Sequence, residues 1–188
     1  ATLFELITGT VIERLFKVKY WDYSDMPLNY HGHICLFVSL FWGAFSVLLV
    51  QIIHVPVENL LMQVPSFLCE AFVFVFMAIF AYDTTVSFNE AMDLREVLES
   101  LSEKNETVKR LERRFDAIVA FTPVPDIDEI NELKLRLEKL EMHRKRIMEK
   151  SNKQFLRAMN QLKRNPGAKS EKYQEMMELL YKLLENRD

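Results

Sequence analysis

The clearest pattern along the chain is an uncharged block from Ile34 to Ile53, ICLFVSLFWGAFSVLLVQII. At about 1.5 Å of rise per residue it spans roughly 30 Å, the thickness of a bilayer's hydrocarbon core. A core helix of a water-soluble protein keeps a polar face, and Ser39, Ser46 and Gln51 are too few to make one. The pattern predicts a first membrane span over 34–53. A second apolar block covers 60–82 and predicts a span over about 65–83. Pro65 sits near its start, where a missing N–H costs least. Glu70 lies inside the block, and an ionisable group at membrane depth is a candidate for function. The stretch 54–66 between the blocks reads as a loop. Over 1–16, Leu3, Phe4, Ile7, Val11, Leu15 and Phe16 recur at helical spacing. That segment is too short to cross a bilayer alone. It reads as the second half of a membrane helix, with an in-plane interfacial helix as the alternative. The start at Ala1 predicts truncation at the N-terminus.

After Asp83 the pattern becomes a narrow seam. Leu94, Val97, Leu101, Val108, Leu111, Phe115 and Ile118 recur at intervals of three, four and seven. TPVPD at 122–126 breaks the helix, and Asp126 with Glu129 has the spacing of a capping box. A second seam runs through Ile130, Leu133, Leu137, Leu140 and Ile147, then less regularly through Phe155 and Leu162. Arg144 and Ser151 fall where it wants apolar residues. Asn165-Pro166-Gly167 ends that helix, and a short last helix is predicted over about 170–186. Two long helices around a proline turn predict a helical hairpin or coiled coil. The fold class is therefore all-α: a membrane domain over 1–83 and a charged helical tail over 84–188.

Charge orients the halves. Only Arg14, Lys17 and Lys19 of the 24 Lys and Arg precede residue 83. The 54–66 segment has none. By the positive-inside rule, loop 17–33 and the tail are cytoplasmic and 54–66 lies outside, which agrees with two spans of a multi-pass cell-membrane protein. Tyr20, Trp21, Tyr23, Trp42 and Tyr82 are candidate interfacial aromatics. The tail's signs balance, which excludes a nucleic-acid module and fits a solvated helix surface. Cys35 and Cys69, both in apolar runs, read as inert buried thiols. His31 and His33, two residues apart, share no helix face, and His54 lies a membrane thickness away. No metal or haem site is expected. The chain contains no GxxxxGK[ST], GxSxG or HExxH pattern, so no enzymatic activity and no cofactor are expected.

The loop before the first span reads VKYWDYSDMPLNYHGHI. Asp22, Ser24 and Asp25 suit Asx and Ser turns that cap the chain locally. The motif WDYSDxPxN, followed by GxICL and SLFWG, resembles an ABC-transporter permease family of type IV, CmpB-like, over about residues 3–60. The matching positions are Trp21, Asp22, Tyr23, Ser24, Asp25, Pro27, Asn29, Gly32, Ile34 and Cys35. The resemblance implies a multi-helix permease-like membrane protein. With no phosphate loop in this chain, ATP hydrolysis would fall to a separate ATPase subunit. A membrane-anchored coiled-coil scaffold or sensor, self-associating through its tail, is the alternative. The candidate functional residues are those motif positions together with Glu70, pinning the loop or lining a polar path.

Overall fold

The computed structural model describes residues 2–121, 127–149 and 152–185. The chain divides into two compact units. One runs to Asn89 and includes Gly167–Lys169; the other holds Glu90–Pro166 and the residues from Ser170 onward.

The first unit opens with α1 (Thr2–Phe16) and a two-stranded antiparallel hairpin, β1 (Asn29–Tyr30) with β2 (Ile34–Cys35). The hairpin is a small departure from an all-α fold. It forms because His31 and Gly32 both take positive φ, 53° and 70°, as a type I′ turn requires, and His33 N–H closes the turn on the Tyr30 carbonyl at 3.1 Å.

The first apolar helix is longer than its uncharged block. α2 (Leu36–Leu48) passes through a π-helical turn, Leu49–Ile53, into α3 (His54–Leu61) without a break. The expected end at Ile53 is therefore wrong, and most of the expected 54–66 loop is helix. Pro56 accounts for the π turn. A proline lacks its N–H and crowds the carbonyl four residues back, and a widened turn relieves both faults. The His54 N–H reaches the Leu49 carbonyl, an i→i−5 bond.

α4 (Ser66–Phe121) begins directly after Pro65, whose carbonyl accepts from Leu68 and Cys69 N–H. No Pro or Gly follows until Pro123, so the helix runs past Asp83 uninterrupted. Leu36–Leu61 and the apolar start of α4 are both long and apolar enough to cross a membrane, and none of their most apolar windows is buried. Soluble monomers rarely expose so large a continuous apolar surface. Phe16 of α1 meets Phe88 of α4 edge to face at 5.3 Å, so the apolar pair returns to the end where it began. Cys35 is buried; Cys69 is half-buried.

The second unit packs the later part of α4 with α5 (Ile127–Ile147), α6 (Lys153–Arg164) and α7 (Gln174–Glu185). Leu94, Val97, Leu101 and Val108 of the seam are buried, and so is Leu98, which the seam omits. α6 runs antiparallel to α4. Arg164 pairs with Glu90 at 2.8 Å, Arg157 with Asp93 at 3.0 Å, and Gln154 donates to Glu96. Phe155, Met159 and Leu162 of α6 and Met176, Met177 and Leu180 of α7 complete the core. Each such side chain contributes about 1.5–3 kcal/mol by burial. Lys109 and Asn105 hold Glu175 of α7, the lysine at 2.7 Å. Near the end of α4, Arg114 meets Glu129 of α5 at 2.7 Å, and Lys134 lies 6.0 Å over the Phe115 ring.

The second seam is not one helix. α5 ends at Ile147 and α6 starts at Lys153, because the Asn152 side chain accepts from the Gln154 and Phe155 N–H groups and caps a new helix. Only Leu133 of α5 is fully buried. Residues 122–126 and Ser151 lie outside the described residues. So does Asp126, expected to cap α5.

Candidate functional site

Loop 17–35 folds as a knot of local hydrogen bonds against α1. Asp22 is its hub. The Asp22 Oδ1 atom accepts from Ser24 N–H at 3.1 Å and from Ser24 Oγ at 2.5 Å, an Asx turn. Its Oδ2 receives Lys169 Nζ at 3.1 Å. The Ser24 hydroxyl bond, with help from Lys169 and against the effect of burial, lowers the Asp22 carboxyl to about 2. It is ionised throughout the physiological range.

Asn29 staples the turn. Its Nδ2 donates to the Ser24 and Met26 carbonyls at 3.1 and 2.7 Å, and its Oδ1 accepts from Gly32 N–H at 3.2 Å. Tyr23 N–H bonds the Gly32 carbonyl at 2.9 Å, and Cys35 Sγ leans on the Pro27 carbonyl at 3.5 Å. Gly32 is required twice: its φ is +70°, and a Cβ there would stand 2.5 Å from Asp22 Oδ1 and 2.6 Å from Ser24 Oγ.

The knot packs on the polar face of α1. Trp21 Nε1 donates to the His33 carbonyl at 3.0 Å. His33, itself buried, places Nε2 3.1 Å from Glu13 Oε2, whose other oxygen lies 3.7 Å from Lys19 Nζ. Gly9 lets the helix approach: a Cβ there would sit 2.9 Å from His33 Nδ1 and 3.2 Å from the Trp21 ring. The Tyr23 hydroxyl bonds the Glu5 carboxylate; burial, reinforced by that negative charge, raises its phenol above the usual range. α1 thus turns Glu5, Gly9 and Glu13 inward and leaves Leu3, Phe4, Ile7, Val11 and Leu15 exposed. Trp21 and Tyr23, read as interfacial aromatics, are half-buried in the knot instead.

The structure gathers Trp21, Asp22, Tyr23, Ser24, Pro27, Asn29, Gly32, Ile34 and Cys35 into this one site. Asp25 lies exposed on its rim. Glu70 is elsewhere, exposed on the second turn of α4 and 18 residues before Phe88, roughly 27 Å along a helix. Five further residues belong to the site: Glu5, Gly9, Glu13, His33 and Lys169. The three on α1 carry a signal, since Glu5, Gly9 and Glu13 recur every fourth residue on one helix face. Lys169 carries none.

The Glu5 carboxylate meets the Tyr23 hydroxyl, Glu13 meets His33 and Lys19, and Asp22 meets Ser24 and Lys169. Among the described residues, no group of three or more His, Cys, Asp and Glu could hold a metal ion.

Residues 1–88 match the family model described as "Putative ABC-transporter type IV". The resemblance carried by the WDYSD motif is thereby borne out, and it reaches beyond residue 60 to the contact of Phe88 with Phe16. The matched segment contains the whole knot except Lys169. No curated protein and no solved structure matches the chain.

Proposed function

We propose that this chain is a membrane-embedded, permease-like transport protein whose motif knot lies at the cytoplasmic end of its apolar pair. The observation that carries this reading is the family match over 1–88, which covers the knot except Lys169 and the apolar part of both helices. Arg14, Lys17 and Lys19 stand beside the knot, while the connection between α3 and α4 has no Lys or Arg. That asymmetry supports a cytoplasmic knot and tail. Without a phosphate loop, the chain works with a separate ATPase subunit. Within this reading the knot pins the cytoplasmic end of the spans, and Glu70 stands toward the other end as the candidate polar group of a path.

The scaffold reading needs an apolar seam free for a partner. Leu94, Val97, Leu98 and Leu101 are instead buried within the chain itself, which favours transport.

The test is purification of the protein from its native membrane with associated proteins retained, followed by reconstitution in proteoliposomes. An ATPase subunit copurifies, and ATP addition drives uptake from a mixed solute pool. Absence of both would remove the proposal.

A further inference from the structure

We propose that Gly167–Lys169 is a releasable strap on the motif knot, held through Asp22. The two are far apart in sequence: Lys169 lies 147 positions beyond Asp22. The strap also lies outside the family-matched residues 1–88. The knot therefore takes its cation from a segment that the family match does not include.

The strap has three attachments. Lys19 N–H donates to the Lys169 carbonyl at 2.7 Å, and Lys169 N–H donates back to the Lys19 carbonyl at 2.8 Å, forming an isolated antiparallel bridge. Lys169 Nζ reaches Asp22 Oδ2 at 3.1 Å. Ala168 is buried, as is Val18 beside the bridge. The bridge is isolated, with no ladder of paired strands on either side of it.

The knot does not need the strap to stay folded. Asp22 divides its oxygens: Oδ1 serves Ser24 inside the loop, and Oδ2 serves Lys169. Releasing the strap removes the Oδ2 partner and leaves the Asx turn, the Asn29 staples and the His33 turn in place. The ion pair is also reachable by solvent, since the Lys169 side chain is 59% exposed. Salt and competing cations can therefore loosen it. The strap is bounded by the end of α6 at Arg164 and the start of α7 at Gln174, so both neighbouring helices can pull on it through the chain. This device stands whether or not a solute crosses the apolar pair.

The experiment uses the full chain in liposomes with Tyr20→Cys and Ala168→Cys in a Cys69→Ser background. These positions flank the bridge as an opposed pair, about 4.5 Å apart at Cα by antiparallel geometry, within disulfide reach. Lys169 and Asp22 stay native. Mild oxidation should cross-link the pair readily at low salt, and 1 M NaCl should slow it. Asp22→Asn keeps the acceptor for Ser24 but loses the charge. It should slow cross-linking about five-fold and abolish the salt effect. Lys169→Gln should act likewise, and Lys169→Arg should restore the native rate. Cross-linking that ignores both the Asp22 charge and salt would overturn the strap as a releasable device, and no cross-linking under any condition would overturn the strap itself.

Discussion

A side chain on Gly32 and the native position of Asp22 exclude each other, because a Cβ at residue 32 would stand 2.5 Å from Asp22 Oδ1. The glycine's left-handed backbone adds a second penalty for any other residue. Gly32→Ala is expected to destabilise the folded protein by about 2–4 kcal/mol, from a left-handed penalty of ~1–2 kcal/mol plus overpacking. Thermal unfolding in detergent reads the loss. Gly43→Ala is the control: nothing lies within 4 Å of its Cβ site on the exposed surface of α2, so a change within roughly 0.5 kcal/mol is expected there.

Asp22 should dominate the acid response of the knot. Its folded carboxyl sits at about 2 against an ordinary 3.8. A depressed carboxyl adds stability that is present above the unfolded value and lost as pH falls. The window is therefore about pH 4 down to pH 2, and the loss is on the order of 2 kcal/mol. Unfolding midpoints measured across that window should drop in the native chain. With Asp22→Asn the slope should flatten, and an unchanged slope would assign the acid response to other carboxylates.

Gly9 sets the distance between α1 and the knot. Gly9→Ala pushes a methyl to 2.9 Å from His33 Nδ1 and 3.2 Å from the Trp21 ring. A loss of roughly 1–3 kcal/mol is expected from overpacking. In a Trp42→Phe background, Trp21 is the remaining tryptophan, and its emission should shift if the ring is displaced. A native spectrum together with native stability would show that the gap is less tight than it stands.

The second unit offers two tests of its packing. Phe155 is fully buried between α6 and its neighbours, and Phe155→Ala should cost about 3–5 kcal/mol. Exposed Met142 on α5 is the comparison, with little change expected on Met142→Ala. Asn152→Ala removes the side-chain cap from the Gln154 and Phe155 N–H groups, and about 1 kcal/mol should be lost. Chemical unfolding followed by far-UV circular dichroism measures all three.

Much of the fold was legible because its signals are local. An uncharged block of membrane length reads directly as a candidate span, and Pro65 marked the start of α4. The seam positions Leu94, Val97, Leu101 and Val108 fell on the buried face. The misreadings have equally local causes. The 54–66 stretch looked like a loop because it lies between two apolar blocks, whereas a widened turn carries the helix past Pro56 to Leu61. The second seam ran on from Ile147 to Phe155 only as a pattern of apolar residues, whereas Asn152 stops one helix and begins another. Leu98 was missed because a seam of threes and fours describes contact with one neighbour, and α4 is packed by both α6 and α7.

The site was legible as a motif but not as a set of partners. Trp21 to Cys35 is contiguous, so its turn chemistry could be read in place. The packing role of Glu5, Gly9 and Glu13 was not read, because the apolar positions of α1 drew attention to the face that in fact lies outward. Lys169 depends on a long-range return of the chain that no spacing encodes.

The π turn at Leu49–Ile53 gives the first apolar helix a slack residue. A chain shortened by one position there could close as an ordinary α-helix, whereas the same deletion inside Leu36–Leu48 would have no widened turn to draw upon. Because one residue corresponds to about 100° of α-helix rotation, it is that second deletion that would swing Glu58 and His54, which face each other at 3.9 Å, onto a different side of the helix. The widened turn takes up its extra residue within itself, so the far end of the helix keeps nearly the facing it would have if that residue were absent.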